Sequence, residues 1–470
     1  MDSLVQLIAT CACLLAAWYL IAPVATKKRK SPPEPPVEYG WIPYIGMGLN
    51  YILDTKRTLE RMHKKHGDCF TLFMGGQRVT FITDHASFAG IWKNKDSLTF
   101  EALAEEMIAK AVNHRVAPGH YHTMITLERK ALSLANVIAT ARSFQSHLFK
   151  VLKSAMPVHP GLYQFTSELF FHSSIKAFYG EVVDPSQLFN DFRKFDKTHW
   201  KLASISQPPS KAAKTLMKKI TENLLTQVPT FQSGLTPSIF HDSLPGASPF
   251  TEDVHFGYES LDWAPQARAL NDFLLIFIGG NSTTIAANYW TLFFILSDNE
   301  AASAVRSELE SIQYNVLDHK TSEYPVLDAC ISESIRMRNS SQSTRLAEKD
   351  CEFTLQKTGK VFSVRKGDTD LFDETVWETP QKFNYKHFLE NDVRKLPFSP
   401  FGGGISLCPR RILARMEITV FVAEIMRAFD ITLEDITESS FEPDMARFAF
   451  GLLEPKNEVK FSLKRREVEV

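Results

Sequence analysis

The chain has 470 residues, 44% of them hydrophobic and 11% aromatic, which is enough apolar material to bury a large core. Its formal net charge is −1, so no overall electrostatic field selects nucleic acid, and we predict no nucleic-acid partner. The cysteines show neither CxxC spacing nor clustering with histidine, which argues against a zinc site or a disulfide scaffold and for a reducing compartment. They are Cys11, Cys13, Cys69, Cys330, Cys351 and Cys408.

The first segment of the chain is apolar. From Leu4 to Ala25 no residue is charged, and this length lets a helix cross about 30 Å of hydrocarbon. A cleaved signal peptide usually carries positive charge before its apolar run, but here the only early charge is Asp2. We therefore expect residues 1–25 to form an uncleaved transmembrane anchor. Because positively charged segments beside a membrane span stay on the cytosolic side, we expect the basic run 27–30 and the chain after it to lie on the cytosolic face.

Residues 26–40 combine that basic run with several prolines, which favour extended polyproline geometry. We predict a stiff hinge there, followed by one globular domain over 41–470. The stretch CFTLFMGGQRVTFIT (69–83) predicts a hairpin around two glycines, and Asp84 is placed to cap the helix that follows. Most segments from there to about residue 235 look helical.

A long apolar helix is predicted from Pro265 to Ser297, with proline in the first turn. Gly279 and Gly280 interrupt it, and each glycine costs about 1 kcal/mol relative to alanine. Either the glycines permit a close helix contact, or the helix loosens there to let a ligand approach its backbone. In the second case the polar residues 281–284 would face that ligand.

The segment EYPVLDACISESIRMR predicts another helix, on which Glu333 and Arg336 share one face and can pair. The short runs CEFTL and KVFSV that follow are strand-like, and residues 366–368 form a turn. The fold is therefore predicted to be mainly α with a smaller β-sheet.

The lone Cys408 follows three glycines and precedes a proline and a helix. Its sulfur could be a catalytic nucleophile, a haem ligand or simply buried, whereas a redox pair would need a second cysteine nearby. The glycines suit a loop that lies against a flat macrocycle.

Several features in order along the whole chain resemble the cytochrome P-450 superfamily, the haem-thiolate monooxygenases. They are the anchor with its proline-rich hinge, GGNSTT (279–284), Glu333-Ser-Ile-Arg336, FNYKHF (383–388), and Phe401-Gly-Gly-Gly404-Ile-Ser-Leu-Cys408-Pro with Ala414 and Glu417. The resemblance implies a cytochrome P-450 fold with an N-terminal transmembrane helix. GWIPYIG (40–46), Tyr289-Trp290 and Cys408-Pro409 are similar to the branch of steroid and oxysterol hydroxylases and prostacyclin synthase.

The resemblance also implies roles for individual residues. Cys408 would bind the iron of haem b as thiolate, with Phe401 and Gly404 in its loop. Thr283, with Ser282 and Gly280, would serve oxygen binding and proton relay. Arg345 would contact a haem propionate, with a surface arginine as the alternative. The cofactor-side core would be locked by three residues, Glu333, Arg336 and His387.

Three departures from the family pattern stand out. Ser282 replaces an acid, Ser406 replaces a basic residue near a propionate, and Arg410 replaces a glycine. In addition, the chain between the turn at 366–368 and Trp377 is about ten residues short of a pattern that normally includes a strand lining the substrate cavity.

The implied function is insertion of one atom of O2 into a sterol, terpenoid or other hydrophobic lipid-like substrate. Electrons would come from NADPH through a flavoprotein reductase, at the endoplasmic reticulum membrane. A basic patch of Arg410, Arg411, Arg415, Arg394 and Lys395 could dock that reductase, or be ordinary solvated surface. The alternatives are a lipid-peroxide isomerase of the prostacyclin-synthase type and a haem-binding protein without turnover.

Overall fold

A computed structural model of the chain is helix-rich, with small β-sheets, as the sequence predicts. Its described residues fall into two compact units. The structure describes residues 32–101, 103–105, 119–153, 161–203, 211–229, 246–261, 263–312, 316–318, 323–340, 343–372, 382–393, 396, 398–445 and 451–466.

Unit 1 is drawn from Met1–Ala104, Gln342–Glu378 and Gly402–Leu407. It contains eight described strands, β1 Val37–Glu38, β2 Cys69–Met74, β3 Gln77–Ile82, β4 Leu98–Thr99, β5 Ser343–Ala347, β6 Cys351–Thr354, β7 Val361–Val364 and β8 Thr369–Phe372. Its helices are α1 Gly48–Leu53, α2 Thr55–His66 and α3 His85–Lys93, with a 3₁₀ turn at Gly404–Ser406.

The predicted hairpin is confirmed as β2 and β3, which pair from Cys69 opposite Ile82 to Met74 opposite Gln77. These strands belong to a six-stranded sheet in the order β1-β2-β3-β8-β5-β4. The turn at 366–368 leads directly into β8, which pairs in parallel with β3 and antiparallel with β5. A strand therefore follows the turn, inside the interval between 368 and Trp377 that the sequence predicts to be short, and the rest of that interval, from 373, lies outside the described residues.

The part of the predicted hinge that the structure describes, residues 32–40, packs against the rest of unit 1. Residues 37–38 add a parallel strand to β2. Glu34 forms ion pairs with Arg78 and Arg365, at 3.1 and 2.6 Å. The described part of the hinge, from residue 32, is therefore attached to this unit, because the Glu34 carboxylate and the backbone of 37–38 find partners there.

Unit 2 is drawn from Glu105–Ser341, Thr379–Phe401 and Cys408–Val470. Its helices are α4 His120–Ala131, α5 Leu134–Lys153, α6 Leu162–Tyr179, α7 Phe189–Ala203, α8 Lys211–Gln227, α9 Pro249–Ser260, α10 Pro265–Asp272, α11 Thr283–Ser297, α12 Asn299–Ser311, α13 Pro325–Arg338, α14 Lys386–Leu389 and α15 Arg411–Ala428. Strands β9 Phe429–Glu434 and β10 Lys460–Arg465 form an antiparallel ladder. Three 3₁₀ turns lie at Pro185–Gln187, Val316–Asp318 and Glu438–Phe441.

The long predicted helix is present from Pro265 to Ser297, and its middle, Phe273–Ser282, is π-helical. Proline occupies the first turn of both α10 and α13, as predicted. Helices α6 and α11 are buried along almost their whole length, since their sequences are apolar on most faces, and α15 is buried from Glu417 to Met426. These helices form the core of unit 2.

The predicted anchor, residues 1–25, lies outside the described residues. Within the part of the chain that the structure describes, no helix is both long enough and apolar enough for a membrane crossing.

Candidate functional site

Cys408 lies three residues before the start of α15, at the end of a loop that begins at Phe401. Its backbone N–H donates to the carbonyl of Phe401 at 3.0 Å. Burial and the negative charge of Glu128 raise the pKa of the Cys408 thiol, while the backbone N–H of Arg410 and the positive charges of Arg410 and Arg411 lower it. The net shift of the pKa is upward, because burial, the largest cause, outweighs the lowering contributions of these groups. A metal cation bound to the sulfur would favour the thiolate.

The glycines of the loop in unit 1 make room for an indole ring. A Cβ at Gly403 would lie 2.0 Å from Trp92 Cε3, and one at Gly404 would lie 2.8 Å from Trp92 Cβ. Gly404 also has φ +63, which disfavours other residues. The sequence suggested that these glycines approach a porphyrin. Within unit 1 they approach Trp92 of α3, which no sequence motif indicated.

Arg345, on β5, holds the same loop from the other side. Its Nη2 donates to the carbonyl of Gly403 at 3.0 Å, and its Nη1 donates to the carbonyl of Thr344 at 2.7 Å. The residue is only 3% exposed, so the alternative of a surface arginine is wrong. A buried guanidinium that donates to a loop carbonyl fixes the position of that loop.

The central helix is loosened where the sequence places Gly279 and Gly280. The π-helical segment includes both, and Asn281 Nδ2 donates to the carbonyl of Ile276 at 2.8 Å. A Cβ at Gly280 would lie 3.0 Å from Arg410 Nη1. In this structure the space beside Gly280 is thus taken by an arginine side chain. The close packing that the sequence offered as one alternative is thus present at Gly280, but with the Arg410 side chain rather than with another helix.

Arg410 is buried at 5% exposure, and its Nε donates to the carboxylate of Glu128 on α4. Its guanidinium carbon also lies 5.6 Å from the ring centre of Phe178 and 4.8 Å from that of Phe250. Its two terminal nitrogens are buried and have no hydrogen-bond partner among the described residues. A side chain that replaces the family's glycine is thus accommodated by an acid and two rings. In the sequence, only the replacement of the family's glycine by Arg410 indicated that the fold must supply a negative charge such as that of Glu128.

Thr283 begins α11 and faces the C-terminal segment of unit 2. A Cβ at Gly451, which has φ +70, would lie 2.8 Å from Thr283 Oγ1. The carbonyl of Gly451 accepts hydrogen bonds from the N–H and the hydroxyl of Ser340, at 3.0 and 2.9 Å. Gly451 therefore lets the chain approach the threonine hydroxyl closely.

Ser282 is fully buried, and its Oγ donates to Asp196 Oδ1 of α7 at 2.6 Å. Asp196 is itself paired with Arg193. The sequence at 282 lacks the family's acid, and the fold places the Asp196 carboxylate from another helix beside that position.

Glu333, Arg336 and His387 come together as predicted. Arg336 donates to both oxygens of Glu333, from Nε at 2.7 Å and from Nη2 at 2.8 Å, and both residues are buried. The N–H of Asn384 also donates to Glu333, at 2.9 Å. His387 Nδ1 lies 3.3 Å from Glu333 Oε1. The arrangement joins α13 to the segment that contains α14.

The predicted basic patch is smaller than its sequence suggests. Arg410 is buried, and Arg394 and Lys395 lie outside the described residues. Arg411 and Arg415 are half-buried, and Arg415 donates to Ser332 Oγ at 2.9 Å as well as to the carboxylate of Asp328. Arg410 therefore cannot contribute to a docking surface.

Glu417 on α15 provides a pH-dependent prediction. Burial raises its pKa from 4.5 to about 8, although the charge of Arg410 opposes the rise. The folded protein thus keeps a proton that the unfolded chain releases, so stability falls as pH rises from 4.5 towards 8. Between pH 5 and pH 8 we expect wild type to lose about 3 kcal/mol more free energy of unfolding than Glu417→Gln.

Urea unfolding at the two pH values measures this difference. Glu438→Gln, which changes an exposed glutamate, serves as the control and should behave as wild type does. Equal pH dependence in Glu417→Gln and wild type would contradict the prediction.

The residues of unit 2 around the loop fit a haem group held through cysteine. Cys408 supplies a sulfur of the kind that haem iron takes as a ligand, and the positive charge of the iron would offset the burial that raises the pKa of the thiol. The two buried terminal nitrogens of Arg410 lack acceptors among the described residues, and the side arms of haem b are carboxylates. This donor set therefore suits haem b, whose iron Cys408 would hold through its sulfur.

Comparison with known proteins agrees with this geometry. The family model described as cytochrome P450 matches residues 161–461. The 5-beta-cholestane-3-alpha,7-alpha-diol 12-alpha-hydroxylase of Sus scrofa is 26% identical, covering 94% of this chain and 95% of its own. The prostacyclin synthase of Homo sapiens is 27% identical, covering 95% and 97%.

Among solved structures, the retinoic acid-bound cyanobacterial CYP120A1 superposes with a TM-score of 0.66 at 18% identity, covering 92% of this chain and 100% of that one. At that identity the likeness concerns the fold alone. The match of the family model over well more than half of the sequence is the stronger result. The chain therefore belongs to the cytochrome P450 family and is a monooxygenase of that family.

Proposed function

We propose that the protein inserts one atom of O2 into a sterol or another hydrophobic lipid-like molecule. The proposal rests chiefly on one observation, the loop before α15 that holds Cys408 in place through the hydrogen bond from its N–H to the carbonyl of Phe401. Support for the substrate class comes from the sterol hydroxylase relatives, which are about a quarter identical over nearly the whole chain.

When bound, haem b supplies the activation of O2, with electrons that reach it from NADPH through a flavoprotein reductase. The chain's own part is to hold that group and to manage protons. The Cys408 sulfur would hold the iron, and the terminal nitrogens of Arg410 would donate to a carboxylate of the group. The Thr283 hydroxyl holds a proton on the substrate side, where Gly451 leaves it room.

Glu333, Arg336 and His387 act as a structural lock in this proposal. Their bonds tie α13 to the chain around α14. Arg345 keeps the glycine loop in place through the carbonyl of Gly403. These residues orient the cofactor site without taking part in proton transfer.

For the cellular setting, we propose that residues 1–25 anchor the protein in the endoplasmic reticulum membrane as a single pass. Residues 26–40 would link this anchor to a cytosolic haem-binding domain, 41–470. The attachment of Glu34 and β1 to the sheet would hold the linker close to that domain.

The carbon monoxide difference spectrum of the reduced protein tests the proposal. Wild type should show the red-shifted band that is typical of thiolate ligation, and Cys408→Ser should lose it. Cys351→Ser removes another thiol that takes part in no disulfide and should keep the band. Wild type without haem, or a haem complex that is indifferent to Cys408, would overturn the assignment.

A second candidate function is isomerisation of a lipid peroxide, which the prostacyclin synthase relatives favour. An isomerase uses the same thiolate but needs neither external electrons nor O2. Product formation from extracted sterols that depends on NADPH and reductase supports the hydroxylase. Conversion of a lipid endoperoxide in the absence of both supports the isomerase.

A further inference from the structure

Asp272 is the last residue of α10, at the point where the central helix changes its winding. The N–H of the next residue, Phe273, is shared between the carbonyls of Ala269 and Leu270. The π-helical segment then runs from Phe273 to Ser282. Because π-helical turns are rare and mostly occur singly, a segment of ten residues needs contacts outside the helix that favour it.

The Asp272 carboxylate accepts three hydrogen bonds from two other helices. Its Oδ2 accepts from the Tyr179 hydroxyl of α6 at 2.7 Å and lies 2.7 Å from His255 Nε2 of α9. Its Oδ1 accepts from the Tyr258 hydroxyl of α9 at 2.9 Å. All four residues are 0% exposed. Since an ionised carboxylate only accepts, His255 Nε2 carries the proton in this contact.

The two phenols are dependable donors to Asp272. Burial, and next the negative charge of Asp272, raise the pKa of Tyr179 and of Tyr258 well above the ordinary value, so both hydroxyls stay protonated. A buried carboxylate is costly unless hydrogen bonds reach it, and here they reach both oxygens. The end of α10 is thus fixed between α6 and α9.

The far end of the π-helical segment is held as well. Ser282, its last residue, donates to Asp196 of α7 at 2.6 Å. Inside the segment, Asn281 Nδ2 donates to the carbonyl of Ile276 at 2.8 Å. A π-helical turn contains about one residue more than an α-helical turn. The same ten residues wound as an α-helix would therefore point Gly280 in another direction.

We propose that Asp272, bound by the two phenols and the imidazole, is a positioning residue that keeps the central helix in its π-helical form. This form aims Gly280 at Arg410, where a Cβ would lie 3.0 Å from Nη1. The terminal nitrogens of Arg410 would hold a carboxylate of haem, so this consequence rests on the proposed function. Without Asp272 the helix relaxes towards the α form, and Gly280 no longer leaves Arg410 this room.

Hydrogen–deuterium exchange of the full chain, followed by mass spectrometry, tests whether Asp272 holds the helix form. Asp272→Ala removes the acceptor, and Tyr179→Phe/Tyr258→Phe removes two donors but keeps both rings. In each variant the amides of 273–282 should exchange at least about tenfold faster than in wild type. Those of the adjoining helix α11 should change less than about threefold.

Tyr289→Phe is the matched control. Tyr289 is a buried tyrosine on the same central helix, but its hydroxyl has no hydrogen-bond partner among the described residues. Exchange in both segments should stay as in wild type.

Transfer of haem from the loaded full chain to excess apomyoglobin tests the link to Arg410. A site that is no longer held in shape retains its ligand less well. Transfer should therefore be at least about fivefold faster in Asp272→Ala and in the tyrosine double variant, and unchanged in Tyr289→Phe.

Exchange that accelerates equally in 273–282 and in α11, or in neither segment, overturns the inference, because Asp272 then contributes only general stability or nothing to the helix form. If Asp272→Ala fails to fold, the tyrosine double variant decides alone. Faster exchange of 273–282 with unchanged haem transfer overturns the positioning role. Wild type that binds no haem contradicts the proposed function instead, and the exchange measurement still decides whether Asp272 holds the π-helical form.

Discussion

Replacing Arg336 with methionine is expected to lower the free energy of unfolding by about 3 to 5 kcal/mol. The guanidinium makes two hydrogen bonds to Glu333, at 2.7 and 2.8 Å, and the Glu333 side chain is 0% exposed. Methionine fills a similar volume but leaves the carboxylate buried without its partner. The N–H of Asn384 and the ring of His387 remain close to Glu333, but neither replaces a bidentate cation.

Urea unfolding measures the effect, and Arg338→Met on the same helix is the matched control. Arg338 is buried too, but its hydrogen bonds go to the carbonyls of Met337 and Phe441, and it stacks over Trp290. Removing it strands no carboxylate, so we expect a loss of only about 1 to 2 kcal/mol.

The double variant Glu333→Gln/Arg336→Met separates charge from packing. It removes both charges together and should recover much of the loss seen in Arg336→Met. A double variant as unstable as the single one would show that packing, rather than the stranded charge, determines the effect.

Replacing Glu128 with glutamine is the second change with a large expected effect, again about 3 to 5 kcal/mol of unfolding free energy. The Glu128 carboxylate accepts from Arg410 Nε, and both side chains are nearly inaccessible, at 4% and 6% exposed. The remaining contacts of Arg410 with Phe178 and Phe250 involve ring faces only. The glutamine therefore leaves a buried cation two positions beyond Cys408.

The matched control is Glu424→Gln, a glutamate that is buried to the same extent. It accepts from Gln145 Nε2 at 2.7 Å, and its neighbour Arg427 also donates to two backbone carbonyls. We expect Glu424→Gln to lose less than about 1.5 kcal/mol, because no charge is left without partners.

Adding Arg410→Gly to Glu128→Gln removes the stranded cation and introduces the glycine that the family pattern has. Chemical denaturation of the three variants should place the double variant closer to wild type than Glu128→Gln alone. If Glu128→Gln is no less stable than Glu424→Gln, the ion pair does not stabilise this region.

Local patterns in the sequence predicted several elements correctly. The hairpin of β2 and β3 follows from two apolar runs around a pair of glycines, whose φ values are +58 and +79. The first turns of α10 and α13 follow from Pro265 and Pro325. The pairing of Glu333 with Arg336 follows from helical spacing. Each of these depends on residues that are close in sequence.

Other contacts could not be predicted in this way. Arg410 meets Glu128 across 282 positions, and Arg345 meets Gly403 across 58. The position of β8 between β3 and β5 likewise joins three distant segments. Departures from the family pattern at 282 and 410 were signals that something compensates, but they did not say which residue.

The sequence by itself determined the helix-rich fold, the cysteine loop and the family, because these depend on local propensity and on motifs with fixed spacing. Only the tertiary structure decided which buried charges find partners. Asp196 reaches Ser282 and Glu128 reaches Arg410 because helix packing brings distant side chains within about 3 Å, and at that distance burial strengthens each contact.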